Sequence, residues 1–284
     1  MDFLKTAAQI YASLYVGMIA AVALLEWAWP RRAIGPPAVR WFGNFSLTIL
    51  GWVLIRLLFP FAGTGWALFC QQHGLGLFNV MHWSGWVPFA ITILALDATA
   101  YAQHYVLHRV PFLWRIHRTH HTDLEFDFST GLRFHPFEAV YSTTILSAVV
   151  AVLGAPPFAV LVSQMLTVSI DFLEHANLKL PRVLDRVLRV FVVTPDMHRI
   201  HHSQDLREGE SNFSNLFSWW DRIFGTYLDQ PVAGHDGIEF GVAEFVDRKH
   251  RLLPWMLAQP FLSTKRSTEP AAAAAEPDDL TALS

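Results

Sequence analysis

Ten of the fourteen histidines of this 284-residue chain lie between His104 and His202. They come in bursts: His104 and His108; His117, His120 and His121; His135; His175; then His198, His201 and His202. Folding alone does not ask for this, because histidine is a mediocre helix former and only intermediate in its tendency to be buried. A transition metal does ask for it, since neutral imidazole suits iron, zinc, copper and nickel. At about four or five ligands per ion, such a set would serve two metals rather than one.

Spacing sharpens the reading. His104 and His108 stand four residues apart, so a helix presents both on one face. Asp97 and Tyr101 share that face, and Asp97 is placed to accept the second ring N–H of His104, as carboxylates do for metal-bound histidines. His117, His120 and His121 can all occupy one helical face, and His198, His201 and His202 repeat their offsets. His135, within Arg133-Phe-His-Pro-Phe-Glu138, and His175, within Asp171-Phe-Leu-Glu-His-Ala, carry less weight alone. The competing reading of each is a hydrogen-bonded interfacial histidine. His73, His82, His235 and His250 fall outside the bursts and receive no metal role. The single cysteine, Cys70, excludes an internal disulfide framework and a cysteine-based metal site.

The elements that must position these residues belong to a membrane. The chain is 52% hydrophobic and only 16% charged, where soluble domains carry about a quarter charged residues. Nothing in the net charge of −3 suggests a nucleic-acid partner. Ala7 to Leu25 is an unbroken uncharged run of about the length that spans a bilayer. Arg31 and Arg32 follow it, and only Lys5, offset by Asp2, precedes it, which disfavours a signal peptide. A second span is expected from near Trp41 or Phe45 to Phe61, and a third from about Trp86 to Tyr101. Between them, Gly63 to Gly85 reads as a loop or interfacial helix, with Trp83 and Trp86 as interfacial anchors. Val140 to Ile170 is apolar but broken by Gly154, Pro156 and Pro157, which predicts a helical hairpin.

The fold class expected is therefore an all-α integral membrane protein. It has three to four transmembrane segments plus the hairpin, under a histidine-rich helical cap holding a dinuclear metal site. Arginine clusters at Arg31–Arg40 and Arg109–Arg133 put that cap on the cytoplasmic side by the positive-inside tendency. One membrane-embedded unit is expected over residues 1–263, with its histidine-rich core at about 90–228 and a disordered tail over 264–284.

Several stretches together resemble the fatty acid hydroxylase and sterol desaturase superfamily of membrane-bound, histidine-rich di-iron oxygenases. They are His104-Tyr-Val-Leu-His108-Arg, Trp114-Arg-Ile-His-Arg-Thr-His-His121, His135-Pro-Phe-Glu138 and His198-Arg-Ile-His-His202. The closing Asn212-Phe-Ser-Asn-Leu-Phe-Ser-Trp-Trp-Asp-Arg-Ile-Phe-Gly-Thr226 agrees as well. The resemblance covers roughly residues 90 to 228. It implies that the ten histidines hold two iron ions, with Asp97, Asp171 and Glu138 as supporting carboxylates. It also implies an O2-dependent hydroxylase or desaturase acting on a C–H bond of a sterol, fatty acyl or other lipid. One branch of the superfamily has a His-x-x-x-His pair where this chain has Asp171 and His175. Either His135 or Asp171 then completes the ligand set, and His135 is favoured.

Electrons must come from an external donor, such as a reductase, a ferredoxin or a cytochrome b5-like carrier. The chain has no glycine-rich dinucleotide fingerprint, no haem-attachment cysteine pair and no iron–sulfur cysteine set. Three other classes compete, one of them a haem electron-transfer protein, which needs only one or two axial histidines per haem and fits the tight bursts poorly. A membrane zinc hydrolase would want a His-Glu-x-x-His motif, which is absent, and a metal transporter would place its ligands inside the spans rather than beside them. Zinc in a purified sample would stand in for iron, since zinc has no redox chemistry.

Overall fold

The computed structural model describes residues 2–263. The expected disordered tail, 264–284, lies outside the described residues. The described chain is helical throughout, with only isolated bridges in place of strands. Its helices are α1 (Asp2–Ala28), α2 (Ala38–Leu58), α3 (Thr64–Gln72), α4 (Leu77–Val80), α5 (Trp86–Arg109) and α6 (Pro111–His121). After a 3-10 turn at Phe128–Leu132 come α7 (Pro136–Leu153), α8 (Pro157–Glu174), α9 (Arg182–Leu188) and α10 (Pro195–His201). The short α11 (Leu206–Gly209), α12 (Trp219–Ile223) and α13 (Leu253–Ala258) complete the set.

Four helices are long and apolar enough to cross a membrane: α1, α2, α7 and α8. The chain is a multi-pass membrane protein. Apolar side chains such as Val16, Leu24, Val53, Leu57 and Val152 stand exposed along these helices, a pattern that suits lipid and not water. The hairpin breaks where glycine and proline require it. Gly154 caps α7 in the left-handed conformation at φ 66°, and Pro156 and Pro157 open α8, where proline loses no intrahelical bond. A Cβ on Gly154 would also collide with the Leu75 carbonyl at 2.6 Å.

The third expected span differs. Trp86 to Tyr101 does form a helix, but it continues as α5 to Arg109 and is not among the four apolar enough to cross alone. The physical reason lies in its own residues. Asp97, Gln103, His104, His108 and Arg109 interrupt the apolar run, and α5 packs against α6, α7 and α8 rather than lipid on every side. It is the wall that carries chemistry.

Two buried clusters hold the helices together, the first at the end that carries the histidines and the second at the α7–α8 bend. Val22 of α1, Phe128 and Leu132 of the 3-10 turn, and Val168 and Phe172 of α8 form one; Ala67, Leu96, Val150, Ala155 and Val160 form the other. Above them a buried polar lattice fixes the end of α6. Arg133, with no exposed surface, donates to the Thr119 carbonyl (2.8 Å), Asn44 Oδ1 (3.0 Å) and Thr122 Oγ1 (3.0 Å). Arg40 pairs with Asp123 at 3.0 Å and also with Asp127. Burial pushes the Asp123 carboxyl up, but the Arg40 and Arg133 guanidiniums outweigh it and hold it below the ordinary carboxylate range.

Candidate metal centre

Each histidine reaches the centre because a local break stops its helix there. Val110, extended and followed by Pro111, ends α5 just past His108 and starts α6. Thr194 caps α10 by accepting from the Met197 N–H, and Pro195 takes the first helical position. The helices that follow these breaks are short, and they aim their histidines at one another.

Nine histidines converge in two groups. His104, His108, His117, His121 and His201 form the first; His120, His175, His198 and His202 form the second. Within each group one ring nitrogen per residue lies within 4.8 Å of all the others. The two His-x-x-His-His boxes do not each serve one site, as a single shared face suggested. His117 and His121 enter the first group while His120 turns to the second. His198 and His202 enter the second while His201 turns to the first.

For four of the rings, the hydrogen bonds behind them fix which nitrogen faces inward. His104 Nδ1 donates to the Phe213 carbonyl (2.9 Å), His201 Nδ1 to the Ser211 carbonyl (2.7 Å), His175 Nδ1 to the Asp171 carbonyl (2.7 Å) and His117 Nδ1 to Glu138 Oε1 (2.7 Å). A ring that donates from Nδ1 carries its lone pair on Nε2. The Nε2 lone pairs of His117 and His175 each face the Nε2 atoms of neighbouring rings. Nε2 atoms of His108 and His121 are 3.1 Å apart, those of His121 and His117 3.1 Å, those of His175 and His120 3.2 Å, and those of His198 and His175 3.0 Å. Imidazole nitrogens gathered this closely are an arrangement that shared cations would hold. With metal–nitrogen bonds of about 2.1 Å, two ligands at right angles lie about 3.0 Å apart. The donor set thus fits transition-metal ions in geometry and in chemistry. Buried Nε2 atoms of His104 and His201, which accept no hydrogen bond among the described residues, fit the same account.

The electrostatics keep these rings neutral. Burial first, then the neighbouring imidazoles, holds His120, His121, His198 and His202 well below the ordinary histidine range. Burial takes His201 down to about 3 although the Ser211 carbonyl favours its charged form. Neutral imidazole is the form that binds metal.

Three expected residues stand elsewhere than the spacing suggested. Asp97 does not reach His104. It accepts instead from the Leu216 and Phe217 N–H groups, both at 3.1 Å, and from Trp220 Nε1 at 2.7 Å. Two turns of α5 separate the pair, and the Phe213 carbonyl takes the place beside His104. His135 lies outside both groups. Its Nδ1 accepts the Phe137 N–H as the cap of α7, and its Nε2 lies 3.3 Å from the Leu257 carbonyl. Asp171 contributes its backbone carbonyl to His175, with its carboxylate 3.4 Å behind the same ring. Glu138 does meet one of the converging histidines, His117. The carbonyls of Ser211 and Phe213 carried no sequence signal, because any residue supplies one. Glu210, whose Oε1 lies 3.6 Å from His108 Nδ1, was equally silent.

A cavity of about 220 Å³ opens beneath the histidines. His104, His117, His120, His175 and His198 line one part of it. Ala100, Leu107, Leu146 and Thr167, from α5, α7 and α8, line the rest. The cavity thus joins both groups to the apolar helices.

Residues 89–226 match the family model described as fatty acid hydroxylase. Alkylglycerol monooxygenase of Homo sapiens is 29% identical over 153 residues, which cover 53% of this chain and 33% of that protein. Ornithine lipid hydroxylase OlsE of Rhizobium tropici is 31% identical over 132 residues, 46% of this chain and 39% of its own length. Cholesterol 25-hydroxylase of Mus musculus is 26% identical over 145 residues, 50% of this chain and 47% of that enzyme. The chain thus spans between a third and a half of the length of these relatives. No solved structure matches it. The matched segment holds every one of the nine converging histidines, and over it the chain resembles the fatty acid hydroxylase family.

Proposed function

We propose that this protein is an O2-dependent lipid hydroxylase or desaturase, with His104, His108, His117, His121 and His201 holding one iron ion and His120, His175, His198 and His202 a second. The observation that carries the reading is the cavity that runs from both histidine groups to the apolar walls of α5, α7 and α8. It is where a lipid tail from the bilayer would meet a metal centre. Bound iron would supply the oxygen activation needed to break an unactivated C–H bond, which acid–base side chains cannot do.

The protein's own share is positioning. Glu138 and the carbonyls of Ser211, Phe213 and Asp171 hold protons at Nδ1, which fixes ring orientation and raises ligand basicity. Leu107, Phe134 and Leu146 give the chain-binding part of the cavity its apolar surface and exclude water. His135, tied to α7 and Leu257, is a capping residue in this reading, and nine histidines complete the ligand set.

The substrate class is a lipid, in keeping with relatives named for alkylglycerol, ornithine lipid and cholesterol. The arginine clusters at Arg31–Arg40 and Arg109–Arg133 favour a cytoplasmic position for the metal cap by the positive-inside tendency. Electrons come from a separate reductase, ferredoxin or cytochrome b5-like carrier there. Metal analysis and Mössbauer spectroscopy of detergent-purified protein reconstituted with ferrous iron test the reading. Two iron atoms per chain in nitrogen-rich, coupled sites are expected. One metal per chain, or zinc that supports a hydrolysis, would return the protein to the zinc-enzyme or transporter class.

A further inference from the structure

The cavity holds a set of buried polar atoms that neither the metal centre nor the helix packing uses. Glu174, the last residue of α8, is 1% exposed. Its Oε1 accepts from Asn215 Nδ2 at 3.0 Å, while its buried Oε2 accepts nothing among the described residues. Asn215 Oδ1 is likewise buried and unpaired. On α5, Gln103 accepts the Ser142 hydroxyl at its Oε1 (3.0 Å), which leaves its buried Nε2 as a donor with no acceptor. All of these residues line the cavity that also reaches His120, His175 and His198.

Glu174 does not belong to a third metal site, although Asp171, Glu174 and His175 lie close enough together to hold an ion. His175 donates from Nδ1 to the Asp171 carbonyl and faces His120 and His198 with Nε2. The two carboxylates sit behind that ring, on the side its lone pair does not serve.

Buried polar atoms left unpaired are costly, so they mark what the site is shaped to receive. An alkyl chain pairs with none of them. A carboxylate or phosphate only accepts and leaves Asn215 Oδ1 without a donor. An ammonium donates only and leaves Gln103 Nε2 unpaired. A hydroxyl does both, since it carries one donor hydrogen and two acceptor lone pairs. We infer that Glu174 and Asn215, with Gln103, bind a hydroxyl group of the lipid and so select which carbon lies against the histidines. This assignment rests on the lipid-oxygenase reading of the same cavity and narrows it to lipids that already bear a hydroxyl near the oxidised carbon. Sites built to pair a substrate hydroxyl reject analogues that lack the donor far more strongly than apolar pockets reject a methylene.

Direct binding tests the inference without turnover. Radiolabelled hexadecan-1-ol and its methyl ether are titrated by equilibrium dialysis against the full-length protein in detergent, with metal content measured alongside. The ether keeps the chain and the oxygen but loses the donor. The wild-type protein is expected to prefer the alcohol at least tenfold. Glu174→Met should abolish the preference, and the milder Asn215→Ala should reduce it to threefold or less while ether affinity is unchanged. Equal binding of alcohol and ether by the wild type overturns the inference. So does a full preference retained in the folded Asn215→Ala protein. A protein that prefers the alcohol but oxidises no lipid would uphold the hydroxyl site and sink the oxygenase reading. One that oxidises lipids with no preference would do the reverse.

Discussion

His120 and His201 hold equivalent places in the two His-x-x-His-His boxes, and each is given to the metal group dominated by the other box. The pair stitches the two groups together: α6 and α10 each contribute to both. A box mutation should therefore act across the centre. His120→Ala is expected to lower metal in the second group, alongside His175, His198 and His202. His201→Ala is expected to lower it in the first. Metal stoichiometry with site-resolved spectroscopy checks this. Loss from the group of the mutated residue's own box would contradict the exchange.

Behind a converging ring, His117 Nδ1 donates to Glu138 Oε1 at 2.7 Å. Glu138→Gln keeps the shape but replaces a charged acceptor with a neutral one. Metal affinity at the first group should fall about 10- to 100-fold, the usual cost of losing such a partner. Competition with a chelator measures it. An unchanged affinity would show that the Phe213 and Ser211 carbonyls orient the first group on their own.

Gly131 sits where the 3-10 turn presses on the second group. A Cβ there would stand 3.0 Å from His175 Nδ1 and 3.1 Å from the Asp171 carbonyl, the two atoms that share the hydrogen bond orienting the ring. Gly131→Ala should displace His175 and weaken metal binding at the second group. It should also cost about 1–3 kcal/mol of stability from overpacking. Thermal unfolding of the metal-free protein separates the packing cost from the loss of metal.

How much of this was legible in the sequence follows from range. Offsets of three and four residues reveal helical ligand pairs, so the bursts and the hairpin break at Gly154 and Pro156 could be read directly. The pairing of one box with another could not, because α6 and α10 meet only through the tertiary fold. Asp97 misled for a related reason. It shares a helical face with His104, but Leu216, Phe217 and Trp220, more than a hundred residues on, claim its oxygens first. The ligand-orienting carbonyls of Ser211 and Phe213 are backbone atoms, for which sequence offers no residue type to search. His135 shows the opposite limit: a histidine before proline caps α7 and lies outside both histidine groups.

His235 gives the cap a pH dependence away from the metal groups. Burial, and then the guanidiniums of Arg31, Arg199 and Arg189, lower it to about 4. In the unfolded chain it titrates near 6.5. Between those values the unfolded chain binds the proton and the folded protein does not, so stability falls as pH drops from about 6.5 towards 4. The shift corresponds to at most about 3 kcal/mol, and screening at this half-buried ring reduces it to about 1 kcal/mol. His235→Gln should flatten the fall of unfolding temperature across that window. A variant that keeps the wild-type slope would assign the slope to other groups.

Asp97 carries the last prediction because its effect must travel. Its carboxylate holds two backbone N–H groups and the Trp220 indole, which fastens the segment after Asn212 to α5. Asp221 clamps the start of the same segment through the Phe213 and Ser214 N–H groups at 2.7 and 3.0 Å. That segment supplies the Phe213 carbonyl to His104, and Ser211 just before it supplies the carbonyl to His201. Asp97→Ala leaves three donors without their acceptor and should destabilise the protein by about 1–3 kcal/mol for each donor that stays buried and unpaired. It should weaken metal at the first group while leaving the second near wild type, since the ring bond of His175 is held by α8 itself. Chelator titration of both groups in Asp97→Ala checks the route. Equal weakening of the two groups would mean that the mutation loosens the cap as a whole and does not act through the two carbonyls.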